Sequence, residues 1–291
     1  MNVDAMKCGR LARVVALGSL VIGSTLPAVC VAASCFKVMD ATAYEGKPEM
    51  GALGIQPIKL EDPRHWWHGV PDDPKSLKEA TIKATGPLVG LKVPLLVDLE
   101  LPVVGQSPDI AANRGRYIDV IHWMREAGLT APLSYYSSLP VRDYWRAVKG
   151  PGSPEYRAWQ AENDALRPIV PLVSALYPSL YTFYDDPQMW VKYALGNISE
   201  ARRIGGALPV YPFVWPQYHN SNKRLGYQYI DGTFWSLQLR TLYAHADGLV
   251  LWGGWDFTNN RKAPWDEHAA WWQATKQFLA NTHNLCPVST R

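Results

Sequence analysis

The sequence predicts an α/β protein whose parallel strands close into a (β/α) barrel of six or seven units. Three observations predict it. Short apolar segments alternate with longer amphipathic ones from residue 36 to residue 280, the pattern of a parallel sheet. No glycine-rich phosphate loop follows any strand, which argues against an open, nucleotide-binding doubly wound sheet. The 291 residues are 47% apolar and 19% charged, enough for one barrel-sized core and too apolar for a disordered chain.

The elements follow in order. A first strand covers 36–39, and the Pro-rich, poorly patterned stretch 44–75 reads as loops over one rim. Val93-Pro94-Leu95-Leu96-Val97 is an uncharged apolar run, hence a buried strand. Over 109–127, Ile118, Ile121 and Met124 share one helical face, and Gly128 ends the helix. The strand Leu133-Ser134-Tyr135-Tyr136 leads to a Pro/Gly-rich turn at 149–154 and a helix over 154–173. A strand at 177–183 and a helix at 186–204 come next. Then follow a strand at 209–215, a loop rich in Asn and Lys, and a helix at 233–245. A strand at 248–252 and a Trp-rich helix at 265–280 finish the pattern. No internal repeat or linker divides it, so 34–291 reads as a single domain.

Residues 1–33 read as an export signal. Lys7, Arg10 and Arg13 precede an apolar run over 14–31, and Val31-Ala32-Ala33 offers small residues for cleavage. The alternative is a membrane anchor, but Gly18, Gly23, Ser24 and Pro27 interrupt the run. The expected location is secreted or periplasmic, with no stable membrane insertion once the signal is removed. Without the leader's three bases and one acid, the net charge of +3 falls to +1. No global basic field points to nucleic acid or another polyanion. Cys8 and Cys30 leave with the signal, and Cys35 and Cys286 remain, one at each end of the domain. They form either one disulfide closing the fold or two free thiols.

The strand at 93–97 runs into Asp98-Leu99-Glu100. Side chains two apart on a strand leave on one face, so both acids point the same way. The C-terminal end of a barrel strand is the catalytic rim; otherwise Asp98 caps a turn and Glu100 is solvated. The other strand ends deliver aromatics and further acids: Tyr135 and Tyr136; Tyr181 with Tyr184 and Asp185; Phe213 and Trp215; Trp252, Trp255 and Asp256. Indole and phenol faces around carboxylates suit sugar rings, although aromatics also simply fill a barrel core. The two acids stand about 6–7 Å apart along the strand, so they serve one side of a sugar and do not flank it. That favours assistance by a substrate acetamido group. Glu100 would donate the proton, its pKa raised by Asp98 and aromatic walls, while Asp98 orients the acetamido N–H.

Other constellations carry less. His65-Trp66-Trp67-His68 lacks a Cys or acid to complete a metal set, so its histidines read as solvated and no metal or cofactor is expected. No G-x-S-x-G motif is present. Asn197-Ile198-Ser199 falls inside a helix, a poor glycan acceptor.

Several ordered segments resemble the hyaluronidase family of glycoside hydrolases. Val97-Asp98-Leu99-Glu100 is similar to the family's strand-borne D-x-E, with Leu99 where Trp is usual. Glu162-Asn163-Asp164 precedes Ala175-Leu176-Tyr177-Pro178-Ser179-Leu180-Tyr181, close to the family's N-D and A-L-Y-P-S-I-Y. Gln188-Met189, Leu208-Pro209-Val210 and Gly248-Leu249-Val250-Leu251-Trp252 follow in order. The resemblance implies a distorted TIM-like barrel of about seven strands in a divergent, bacterial member. It also implies retaining, substrate-assisted cleavage of an N-acetylhexosamine polysaccharide. By position Glu100 becomes the general acid/base and Asp98 the acetamido-positioning acid. Tyr181 contacts the acetamido group, Trp252 walls the adjoining subsite, and Tyr135 or Tyr136 matches a further site tyrosine. Cys35 and Cys286 match a family disulfide.

The departures concern substrate, not the acid pair. Phe213 stands where the family offers a tyrosine, with Tyr211 two residues away, and Ala194 stands where its helix carries an Arg. Leu101-Pro102-Val103 replaces W-R-P. The reading is therefore a glycosidase acting on a hyaluronan-like polysaccharide. Its alternatives are an endo-glycosidase on another polysaccharide and a non-catalytic carbohydrate-binding barrel.

Overall fold

The computed structural model describes residues 35–100 and 110–288. The expected leader at 1–33, with Cys8 and Cys30, lies outside them, as does Leu101-Pro102-Val103.

Among the described residues, parallel staves close into a distorted (β/α) barrel. β1 (Lys37–Thr42) and β7 (Gly248–Gly253) form the longest ladder, from Lys37 opposite Gly248 to Thr42 opposite Gly253. β6 (Phe213–Val214) pairs with the far edge of β7, and β2 (Gln56–Pro57) with the far edge of β1. Only Ile58 separates β2 from β3 (Lys59–Glu61), which pairs with β4 (Leu95–Val97) and so joins the two sheets. β4 pairs with β5 (Leu133–Tyr135). Residues 176–182 close the ring by single bridges: Tyr136 to Tyr177 on one side, Leu176 to Val210 and Ser179 to Phe213 on the other.

Proline explains the distortion. β1 and β7 contain none, whereas the other staves carry Pro57, Pro94, Pro132, Pro178, Pro209 and Pro212 on them or at their start. A proline has no N–H for the ladder, so these staves pair over two or three residues or by single bridges. Their carbonyls still serve the ring: those of Pro94, Pro132, Pro178, Pro209 and Pro212 accept from Lys59, Leu95, Phe213, Leu176 and Val250.

The period-two alternation of strands sorts the core into two layers. Met39, Leu96, Tyr136, Tyr177, Phe213 and Val250 pack together inside the barrel. Their neighbours Val38, Leu95, Val97, Tyr135, Val214 and Leu251 pack outward against the helices. Those helices are α1 (Arg64–Trp67), α2 (Pro74–Thr85), α3 (Ile110–Glu126), α4 (Pro154–Leu166), α5 (Pro187–Gly205), α6 (Gly232–His245) and α7 (Ala270–Asn281). α2, α4 and α5 start on proline behind Asp73, Ser153 and Asp186, and α6 starts behind Asp231. Each of these caps accepts from backbone N–H groups of the first turn.

The alternation read from sequence is present, with corrections. The stretch 44–75 is not only loop: it contains the β2–β3 stave, which Pro57 and its short length hide. The helix expected over 154–173 stops at Leu166, and Pro168 and Pro171 tighten Arg167–Leu172 into a 3₁₀ turn. The last helix starts at Ala270, not 265. Cys35 and Cys286 are bonded, beside a bridge of Phe36 to Leu285. The bond joins residues 251 apart, a loop closure worth about 5 kcal/mol on the chain-entropy account. Among the described residues no helix is long and apolar enough to cross a membrane.

Candidate active site

The site begins where β4 ends. The Asp98 N–H donates to the Glu61 carbonyl (2.8 Å), so the strand geometry continues one residue past the ladder. Leu99 turns outward into the core, and its carbonyl accepts from the Tyr117 hydroxyl on α3 (2.8 Å). With Leu99 held outward, alternation sends Asp98 and Glu100 inward above Leu96. Both line a cavity of about 350 Å³, within the range of small-ligand sites.

The two acids sit in different surroundings. Asp98 is mostly buried, and its Oδ1 has no hydrogen-bond partner among the described residues. Burial, reinforced by the charges of Glu100 and Asp62, pushes its carboxyl up to about 7, against the pull of Arg64 and Arg142. Glu100 is half exposed, with Oε1 3.3 Å from the Arg142 guanidinium. The apolar surroundings foreseen for Glu100 thus belong to Asp98. Desolvation also raises Tyr136, to about 12, and Tyr181 well above its ordinary value, with the charge of Asp98 a lesser cause in both.

The aromatic walls come from the opposite staves. Trp252 stacks on Tyr181, ring centroids 5.1 Å apart and planes 27° apart. Trp215 stands edge-on to both, at 5.5 and 5.0 Å. The Tyr136 hydroxyl donates to Ser179 Oγ (3.0 Å) and its ring lies 5.9 Å from that of Tyr181.

The structure divides the expected residues. Asp98, Glu100, Tyr136, Tyr181 and Trp252 line one cavity. Trp215 supports the walls from behind. Tyr135 does not join them: strand alternation turns it outward, where its hydroxyl donates to the Tyr117 carbonyl (2.6 Å). Phe213 lies one layer deeper, fully buried and edge-on to Tyr136, and Tyr211 packs on Tyr177 beside it. Trp255 and Asp256 sit on the β8 (Trp255–Asp256) to β9 (Arg261–Lys262) hairpin and line the next cavity. The Asp256 carboxylate accepts from Thr258 N, Asn259 N and Asn259 Nδ2, so it stabilises its own turn. Ala194 is fully buried on α5, and His65 and His68 are exposed. No cluster of three metal-ligating side chains occurs among the described residues.

Sequence reading missed four polar groups of the cavity, Arg64, Arg142, His219 and Asn220. Arg142 lies past the end of β5, in the stretch that leads to α4. Its place is set by Val141, whose N–H donates to Asn163 Oδ1 (2.8 Å) and whose carbonyl accepts from Trp159 Nε1 (2.7 Å). Asn163 in turn donates to Glu200 (3.0 Å), while Glu162 holds Arg146 through two 2.7 Å bonds. The Glu162-Asn163-Asp164 segment is thus a brace for the loop bearing Arg142. Arg64, paired with Asp62, was hidden with the β2–β3 stave. His219 accepts at Nδ1 from the Ser221 N–H (3.2 Å), and burial together with Arg142 lowers its pKa to about 4. It therefore lines the cavity as a neutral imidazole.

No protein-family model matches the chain, and no curated protein matches it in sequence. Among solved structures, the chain is similar to bee venom hyaluronidase. One crystal structure of that enzyme is 14% identical with a TM-score of 0.56, over 75% of this chain and 91% of that chain. Its complex with a hyaluronic acid tetramer is 15% identical with a TM-score of 0.53, over 85% and 97%. The two share a fold. The distorted barrel is therefore the architecture of this chain, at identities that speak for the fold alone.

Proposed function

We propose that this chain is a glycoside hydrolase acting on a polysaccharide that contains N-acetylhexosamine, hyaluronan-like in its repeat. The observation that carries the reading is the pair Asp98 and Glu100, aimed from one strand end into a cavity walled by Tyr181 and Trp252. Among the described residues they are the only carboxylates lining it. Two-carboxylate glycosidases place their acids on opposite sides of the scissile bond, about 5–9 Å apart. Here both stand on one side, so the substrate must supply the nucleophile, and an acetamido oxygen can do so.

In this scheme the acetamido oxygen attacks the anomeric carbon while Glu100 protonates the departing glycosidic oxygen. Water, deprotonated by Glu100, then opens the oxazolinium, with net retention. Asp98 accepts the acetamido N–H, a donor matched to its unpartnered Oδ1. Trp252 stacks beneath the sugar's C–H face. The bee enzyme, whose fold this chain shares, was crystallised with a hyaluronic acid tetramer, which supports a polysaccharide ligand. Residues 34–291 act as one domain after export by 1–33 to the outside or the periplasm, where the Cys35–Cys286 bond is stable.

The test is a panel of hyaluronan, chondroitin, chitin and peptidoglycan fragments, followed by reducing ends. Cleavage confined to acetamido polymers is expected, falling about 10²–10⁴-fold in Glu100→Gln. Full activity in that variant would sink the mechanism. Cleavage only of sugars without an acetamido group would sink substrate assistance, and binding without turnover would favour a lectin-like barrel.

A further inference from the structure

Two further cavities run along the rim from the acid pair, and each shares an aromatic ring with the one before. Phe257 borders the acid-pair cavity and also a cavity of about 230 Å³ that holds Tyr227 and Trp255. Tyr229 borders that second cavity and a third of about 270 Å³, which holds Tyr44 and Trp271. Phe257, Tyr227 and Tyr229 are 44%, 38% and 51% exposed and together border the second cavity, a contiguous patch of the kind that marks a binding groove.

The rings are held in place. Tyr227 stacks on Phe257 at 5.0 Å and 22°, and Tyr44 on Trp271 at 5.7 Å and 20°. Gln217 accepts from Trp215 Nε1 (2.8 Å) and donates to the Tyr227 carbonyl (2.6 Å), tying the second platform to the wall of the acid-pair cavity. Tyr227 itself sits at φ 68°, a left-handed conformation that a bulky residue keeps only when its surroundings fix it. Gly254, at φ 88°, lets the hairpin bearing Phe257 fold back on the rim. A Cβ there would stand 2.3 Å from the Tyr44 nitrogen. The Tyr44 and Tyr229 hydroxyls are 3.3 Å apart, so polar groups lie among the ring faces.

We propose that these linked cavities are a glycan track, which binds further sugars of the polymer whose cleaved bond lies at Glu100. Phe257 with Tyr227 forms the first platform, and Tyr229, its hydroxyl beside that of the buried Tyr44, the second. Ring faces meet sugar C–H faces, and tyrosine hydroxyls meet sugar hydroxyls. The inference rests on the glycosidase reading and extends it to a preference for long chains.

Binding is measured separately from turnover, with Glu100→Gln protein and hyaluronan and chitin chains of four and ten sugars. Adding Tyr227→Ala with Tyr229→Ala should weaken ten-sugar binding about tenfold more than four-sugar binding, about 1.4 kcal/mol. Tyr229→Phe, which keeps the ring, should retain most of the ten-sugar affinity, and four-sugar binding kept by the double variant shows that its loss is not misfolding. Equal losses for both lengths, no loss, or no binding by Glu100→Gln protein would each overturn the track. A change of oligomeric state on the double substitution would make this face an interface between copies and overturn it as well. Length-dependent binding by a protein that cleaves nothing would leave the track standing and remove the hydrolase.

Discussion

Two layers of the barrel interior, one pleat apart on the same staves, hold opposite chemistry. Leu96, Phe213 and Val250 are fully buried in an uncharged layer with Met39 and Tyr177. Two residues further along those staves stand Asp98, Trp215 and Trp252, joined by Glu100 and Arg142. Strand geometry places both layers equally well, so what separates them is solvation. Below, the inward groups Met39, Leu96, Tyr177, Phe213 and Val250 carry no charge. Above, a carboxyl is buried short of partners, and that burial pushes its pKa up to about 7. Stability is concentrated in one layer and reactivity in the next.

The largest effect should come from breaking the lower layer. Phe213→Ala removes a fully buried ring that stands edge-on to Tyr136, 4.8 Å between centroids. Truncating such a residue costs about 3–5 kcal/mol, read from the midpoint of urea unfolding. A loss under about 1 kcal/mol would mean that the dry layer does not carry the fold. Phe213 then matters to the site only as the floor under Tyr136.

The same two layers show what was legible in the sequence. Alternation along 93–100 put Asp98 and Glu100 on one face, because side chains two apart on a strand leave on the same side. It did not distinguish Tyr135 from Tyr136, since both are aromatic and both are buried, one on each side of the wall. Trp255 and Asp256 followed a strand end in sequence, but the glycines 253 and 254 redirect the chain into a hairpin. Arg142 and His219 carried no local signal. Their places depend on contacts made far away, by Asn163 and Trp159 for one and by the Thr182 carbonyl for the other. The β2–β3 stave was invisible because a proline and a two- or three-residue ladder leave no periodicity to read.

A smaller effect, of opposite sign, should come from the upper layer. Asp98 titrates near 7 when folded and near 4 when unfolded, so the unfolded chain releases its proton first as pH rises. The charged carboxylate therefore opposes folding, fully above pH 7 and not at all below about pH 4. Asp98→Asn removes that penalty, on the order of 3 kcal/mol at pH 8, and the gain should shrink to nothing as pH falls through 7 toward 4. Melting temperatures across that range measure it, alongside the loss of activity expected from an acid that orients substrate. A stabilisation independent of pH would show that Asp98 is not the buried, shifted group.

The smallest effect tests what moderates that layer. Arg142 lowers the titration of both Asp98 and His219, because its guanidinium favours a carboxylate and disfavours an imidazolium. Arg142→Gln should move both upward, Asp98 further from about 7 and His219 back from about 4 toward the ordinary histidine range. Each move should be under about 1 unit, equivalent to about 1.4 kcal/mol. The imidazole shift is read by NMR and the carboxyl shift from the pH dependence of stability. Arg142→Lys keeps the charge but not the planar fork held beside Glu100, and should move the two titrations less than glutamine does. If neither titration moves in Arg142→Gln, the cation acts only as part of the cavity wall. The contrast between the layers would then rest on Asp98 burial alone.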